Sequence, residues 1–264
     1  WGAATHERST GVHRPLTATV LYLENPHAAN EFQIVIALDH CLLRPQEMQD
    51  LRDRVSAASE LPGERFVFYF SHTHAAGLIG YERRDLPGGD LIAPYLERLS
   101  AEVASLTRRA RKARQLGSIV CGQGRCCLAA NRDYYDEDRR QHVCGYNPGG
   151  TADDALLVAR VTGPDSHVLA TIVNYACHPT TLAWENTVIS PDYVGAMREV
   201  VEQAGGRIWL VTRPGAGSSF TVTLPAAAAP AGPSPARDTR ATEVVLELPG
   251  QLFPRRRVEE EHRP

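Results

Sequence analysis

The alternation of apolar and polar positions gives the chain two parts. From Leu16 to about Gly206, apolar runs of strand character alternate with segments of helical period. Residues 18–23 and 33–39, rich in Val, Ile and Leu, predict strands, and 65–70 (RFVFYF) predicts a third from strong β formers. Residues 46–59 predict a helix with one polar face. Ile92, Tyr95, Leu96, Leu99, Val103 and Leu106 recur at helical spacing, and the basic run 108–114 closes that helix, where cations suit the macrodipole. Residues 155–161 and 168–175 predict two more strands around a turn at Gly163-Pro164-Asp165. Ser190-Pro191 predicts a helix start, with Ser190 as N-cap and Pro191 at the first helical position, running to about Ala204. Strands alternating with helices predict an α/β domain, a largely buried mixed sheet flanked by helices.

After Gly206 the pattern changes. Residues 207–224 predict two short strands around a Gly-rich turn. Residues 226–236 (AAAAPAGPSPA) read as a low-complexity linker, 243–248 as one further short strand, and 255–264 as a charged tail.

Composition narrows the function classes. The 264 residues carry 28 Lys and Arg against 31 Asp and Glu, a formal net charge of −3, and this argues against a nucleic-acid binder, which carries a basic excess. No apolar run reaches the length of a membrane helix. No basic segment followed by an apolar stretch opens the chain, so a cytoplasmic location is expected, with secretion left open because residue 1 is Trp rather than Met. Six cysteines stand at 41, 121, 126, 127, 144 and 177. The CGQGRCC spacing matches no zinc-ribbon pattern, and half-buried thiols are the expectation.

The chemistry concentrates in histidines at predicted strand ends, where ligands gather in α/β sheets. Ser71-His72-Thr73-His74 follows the strand 65–70; in extended backbone both imidazoles point the same way and can share a metal, although two ordinary loop histidines would read alike. Asn174-Tyr175-Ala176-Cys177-His178-Pro179 ends the strand 168–175, and Pro179 biases His178 to extended backbone. Alternation points Cys177 the opposite way from His178, into the core. Three imidazoles at two strand ends are a starting set for a zinc site. Arg132, within Asn131-Arg132-Asp133, can stabilise an oxyanion beside such a metal, or pair with the acidic run 133–138.

Five stretches in one order, SHTHAAG, AANRDYYDE, GYNPGGTADDALLVARV, ATIVNYACHPTTL and ISPDYVGAMREVVE, together with the opening 1–24, resemble the N-terminal catalytic domain of bacterial neutral/alkaline non-lysosomal ceramidases. The resemblance covers residues 1–205 and implies a zinc-dependent amidase that cleaves ceramide to a sphingoid base and a fatty acid. It implies zinc (Zn2+) bound by His72 and His178, His74 beside the metal orienting water or substrate, and Arg132 on the substrate or transition state. The expected partner is an N-acyl lipid, with no nucleic acid and no transmembrane segment. That family's zinc site also takes a Glu and a Tyr from further along its chain, and no position here corresponds to them, so the catalytic domain is read as incomplete. Residues 206–225 form a hairpin of foreign character: GGRIWLVTRPGAGSSFTVTLP resembles the end of a sensor histidine kinase ATP-binding domain. The other boxes of that domain are missing, and ATP binding is rejected. Residues 226–264 complete the division as linker and tail. A non-catalytic remnant of the ceramidase family is the alternative to an active amidase.

Overall fold

The structure is a computed structural model, which describes residues 6–203, 208–213 and 217–222. Its strands are β1 (Gly11–Val12), β2 (Ala18–Asn25), β3 (Ala28–Leu38), β4 (Phe66–Phe70), β5 (Ser118–Arg125), β6 (Asp133–Asp136), β7 (Gln141–Cys144), β8 (Ala155–Thr162), β9 (Val168–Tyr175), β10 (Val188–Ile189), β11 (Ile208–Arg213) and β12 (Gly217–Val222). Its helices are α1 (Pro45–Ser59), α2 (Ile92–Lys112) and α3 (Tyr193–Gln203). The fold is α/β, as the pattern predicts.

The strands do not form one mixed sheet. A three-stranded sheet has the order β2-β3-β4, with β2 and β3 an antiparallel hairpin and β4 parallel to β3 after the α1 crossover. A five-stranded antiparallel sheet has the order β11-β12-β9-β8-β5. Two short pairs, β1 with β10 and β6 with β7, complete the described ladders. The linker, the strand expected at 243–248 and the tail lie outside the described residues.

Strand β3 joins two cores because its residues alternate in direction. Ile34, Ile36 and Leu38 pack with Leu51 and Val55 of α1, Phe66 and Phe70 of β4, and Val103 of α2. Ala37, on the opposite face, packs with Val173 and Tyr175 of β9 and Val194 of α3. Pro45 starts α1 at its first turn, and Glu60 in left-handed conformation ends it by a bond from its N–H to the Ser56 carbonyl. The basic end of α2 is structural: Arg108 donates to the Ala58 carbonyl at the end of α1, and Arg114 pairs with Glu24 of β2 at 3.3 Å.

Helix α3 starts later than predicted. Asp192, not Ser190, sits before it, with φ of 59°, and its carboxylate accepts the N–H groups of Thr181, Leu182 and Tyr193 and the Thr181 hydroxyl. The Ser190 hydroxyl accepts the Asp192 N–H at 3.1 Å, ahead of the helix, while its carbonyl accepts the buried Thr73 hydroxyl at 2.7 Å and its N–H donates to the Ala75 carbonyl. The cysteines are all free, but only Cys41 is buried and Cys126 and Cys177 half-buried; Cys121, Cys127 and Cys144 are exposed, because β5 and the β6–β7 hairpin face solvent. Cys177 packs at the margin of the second core, as expected.

The buried Asp39 carboxylate ends β3 and fastens three segments. It accepts the Thr17 N–H at 2.9 Å, the Thr17 hydroxyl at 2.8 Å, and Arg198 of α3 through Nη1 at 2.5 Å and Nη2 at 2.6 Å. Arg198 is itself largely enclosed, so removing its partner leaves a buried charge. Asp39→Ala should cost about 3–5 kcal/mol. Arg14→Ala breaks a bidentate pair with the half-exposed Glu199 and should cost about 1 kcal/mol or less. Urea unfolding of the two variants checks the contrast; equal losses would contradict it.

Candidate metal centre

Three strand ends and one hairpin base meet at the site. After β3 come Asp39, His40 and Cys41; after β4, Ser71 to Ala75; after β9, Ala176 to Thr180; and Arg132 directly precedes β6. Because β3 and β4 are parallel, their carboxyl ends emerge side by side. The first two segments interlock: Ser71 N–H donates to the Leu38 carbonyl and His72 N–H to the His40 carbonyl, both at 2.9 Å. His72 has φ of 57°, a conformation that a non-glycine residue holds only where its surroundings fix it.

Every sequence-predicted site residue arrives at one place. The ring centroids of His72, His74 and His178 lie 5.1, 4.8 and 4.6 Å apart pairwise. Arg132 reaches His178 rather than the acidic run; Asp136 of that run instead accepts the Arg139 N–H in the β6–β7 turn. The backbone around Arg132 is bracketed by Asn131 and Asn147: Asp133 N–H donates to the Asn131 side chain, Asn147 N–H to the Asn131 carbonyl, and Gly145 N–H to the Arg132 carbonyl. The buried Tyr175 hydroxyl ties the incoming loop to β9 through Ala129 N–H and the Cys126 carbonyl.

Donor and acceptor chemistry fixes the protons. His72 Nδ1 lies 2.8 Å from the Cys41 carbonyl, which only accepts, so Nδ1 carries hydrogen and Nε2 keeps its lone pair. Arg132 Nη2 lies 2.7 Å from His178 Nδ1; arginine only donates, so Nδ1 accepts and Nε2 of neutral His178 carries hydrogen. That hydrogen is donated across 2.6 Å to His74 Nε2. His74 therefore carries hydrogen on Nδ1, which is buried without a hydrogen-bond partner.

The rings are held neutral. Burial, with like charge from neighbouring His72 and Arg132, pushes His74 down to about 4. His178 presents its outer edge to solvent, but loss of hydration among His74, His72 and Arg132 takes it to about 4 as well. Burial lowers His72 too. Behind them His40, nearly fully buried against the Tyr95 hydroxyl at 2.5 Å, is pushed to about 4 by burial.

Cys41, His72 and His74 form a group that can hold a metal ion, with one donor atom from each, all within 4.8 Å of one another. Sequence reasoning missed Cys41. The signal was present: it stands just beyond an apolar strand, like His72 and His178. It also missed Asp39 and Asp192, whose buried carboxylates fasten the loops that carry the imidazoles.

No family model and no curated protein sequence matches the chain. Solved structures do. A ceramidase complexed with C2 superposes on 74% of this chain and 31% of its own, with a TM-score of 0.57 at 20% identity. The neutral ceramidase from Pseudomonas aeruginosa superposes on 71% of this chain and 30% of its own, with a TM-score of 0.55 at 17% identity. The chain thus spans about a third of the ceramidase chains it matches, and over that third it shares their fold.

Proposed function

We propose that this chain is the histidine-bearing part of a zinc-dependent amidohydrolase acting on an N-acyl lipid of ceramide type. The observation that carries the reading is the convergence of His72, His74, His178 and Arg132 from separate strand ends, on a fold shared with ceramidases. In this reading residues 1–205 carry the reacting groups.

The residues fit a divalent cation. His72 has its Nδ1 pinned by a carbonyl, the usual orientation of a ligating imidazole whose other nitrogen is free. The low pKa values keep the rings in the neutral, ligating form. The Nε2 atoms of His74 and His178 face each other at 2.6 Å, so His74 would stand beside an ion held by His178. The resemblance implies His178 as second ligand with His72, and that role requires Arg132 to turn away from His178 Nδ1.

When bound, zinc supplies Lewis acidity and an acidified water. The protein's own groups do the rest. Arg132, freed from His178, donates to the oxygen of the scissile carbonyl as charge develops on it. An imidazole of the cluster takes a proton from the attacking water and returns it to the leaving amine. The Ser190 contacts with Thr73 and Ala75 keep the His72–His74 loop from yielding as substrate enters.

A zinc-loaded preparation should release amine from a short-acyl ceramide. Arg132→Ala should lower turnover by about 100-fold, the loss expected for one oxyanion donor. His72→Ala should remove both turnover and bound zinc. Absence of stoichiometric zinc together with absence of amine release would end the reading.

Metal-free protein gives a second check. His40, His74 and His178 fall from 6.5 in the unfolded chain to about 4 in the folded one. Between those values the unfolded chain binds more protons, so stability rises with pH across this window and is lost as pH falls. The urea midpoint should climb from about pH 4 to about pH 6.5, and less steeply in His178→Gln. Identical slopes would show that His178 is protonated in the fold.

A further inference from the structure

We infer that Asn147 is a positioning residue for Arg132, aiming its guanidinium at the scissile carbonyl by holding the backbone on either side of it; the role rests on the reading of Arg132 as oxyanion donor given above.

Arg132 needs such a hold. Its guanidinium has one described hydrogen bond, to His178 Nδ1, and that bond breaks when the side chain turns to substrate. From then on the placement of a long side chain follows from its backbone, and a misplacement of about 1 Å can cost about 100-fold in rate. The surroundings give that backbone little support. Among the described residues, none from 131 to 150 packs in either core, and Tyr134, Tyr135, Cys144 and Tyr146 are exposed. The hairpin is tied down at its base, where the Tyr175 hydroxyl accepts the Ala129 N–H and the Asp154 carbonyl accepts the Cys126 N–H at 2.8 Å.

Asn147 supplies the hold. Its N–H donates to the Asn131 carbonyl at 3.0 Å and its Nδ2 to the Asp133 carbonyl at 2.8 Å, so it grips the residues on both sides of Arg132. The Arg132 carbonyl itself accepts the Gly145 N–H at 2.8 Å, one step beyond the last β6–β7 pair, Asp133 with Cys144. Asn131 completes the grip: its side chain accepts the Asp133 N–H at 2.9 Å and donates to the Thr151 carbonyl at 3.2 Å. Asn147 is fixed in turn by the bend it opens, closed by the Gly150 N–H on its carbonyl at 3.1 Å, with Pro148 at the second turn position, which suits its fixed φ. Gly150 seals the packing. A Cβ there would stand 2.6 Å from Asn131 Cγ and 2.8 Å from Asn147 Nδ2, distances that Cβ atoms do not tolerate, so Gly150→Ala displaces both side chains.

Two readouts test the role, one of them free of catalysis. In metal-free protein at about pH 8, where imidazoles are neutral, the His178 Nδ1 nitrogen signal reports the Arg132 hydrogen bond. Asn147→Ala and Gly150→Ala should each move that signal toward its position in Arg132→Ala. In zinc-loaded protein Asn147→Ala should lower kcat by about 10-fold or more, with KM and bound zinc near wild type, as expected for an interaction made only in the transition state. In an Arg132→Ala background the same change should cost less than about 2-fold further, because no guanidinium remains to be aimed. A His178 signal unmoved in Asn147→Ala, or a loss of kcat that persists in full without Arg132, overturns the role and leaves the amidase reading standing. If wild type releases no amine, the amidase reading falls and the His178 signal alone decides whether Asn147 places Arg132. Should Asn147→Ala fail to fold, Gly150→Ala takes its place; failure of both makes the contact structural and overturns the role.

Discussion

The fold depends on a buried carboxylate at the end of β3. Asp39 is held by two donors from Thr17 and two from Arg198, so one side chain closes the entry to β2, ends β3 and holds α3 against both. Burying a carboxylate is costly unless its acceptor sites are filled, and four short bonds fill them. The consequence reaches the site through the next two residues. His40 and Cys41 present their carbonyls to His72, one to its N–H and one to its ring. The orientation of the first imidazole therefore follows from where Asp39 fixes the chain.

Asp192 plays the matching part for the other imidazole. It binds the N–H groups of Thr181 and Leu182, a few residues past His178, and of Tyr193 at the start of α3. The neighbouring Ser190 holds Thr73 and Ala75 of the His72–His74 loop. Both histidine loops thus hang from one short segment at the entry to α3. Their rings meet at hydrogen-bond distance although 104 positions separate His74 from His178. Strand ends alone give proximity; the shared anchor gives contact.

How much of this was legible in the sequence differs by element. Residues whose side chains decide their own environment were readable: the apolar strands β2, β4, β8 and β9, the helix α2 with its regular apolar stripe, and histidines placed just past strands. Strand β5 was not, since it is an exposed edge with two glycines and little apolar alternation. The β6–β7 hairpin was hidden for a similar reason: Tyr134, Tyr135 and their partners are mostly exposed. The late start of α3 was missed because Ser190 and Pro191 carry local cap signals. The Ser190 carbonyl accepts from Thr73, its N–H donates to Ala75 and its hydroxyl accepts the Asp192 N–H, so the chain turns into the helix only at Asp192, whose carboxylate accepts the Tyr193 N–H. Cys41 stands just past an apolar strand, but only the parallel neighbour β4 brings it beside His72 and His74, and pairing between strands is not written locally.

Charge connects the fold to the site. The imidazoles are neutral, Arg132 is the cation beside them, and the donor side chains gathered behind include a buried thiol. Burial, ahead of repulsion from Arg132 and the neighbouring rings, is why the His74 and His178 pKa values fall, and it leaves the rings neutral with lone pairs to offer. The same burial acts on both kinds of group: it holds protons off the imidazoles and keeps the Cys41 thiol protonated.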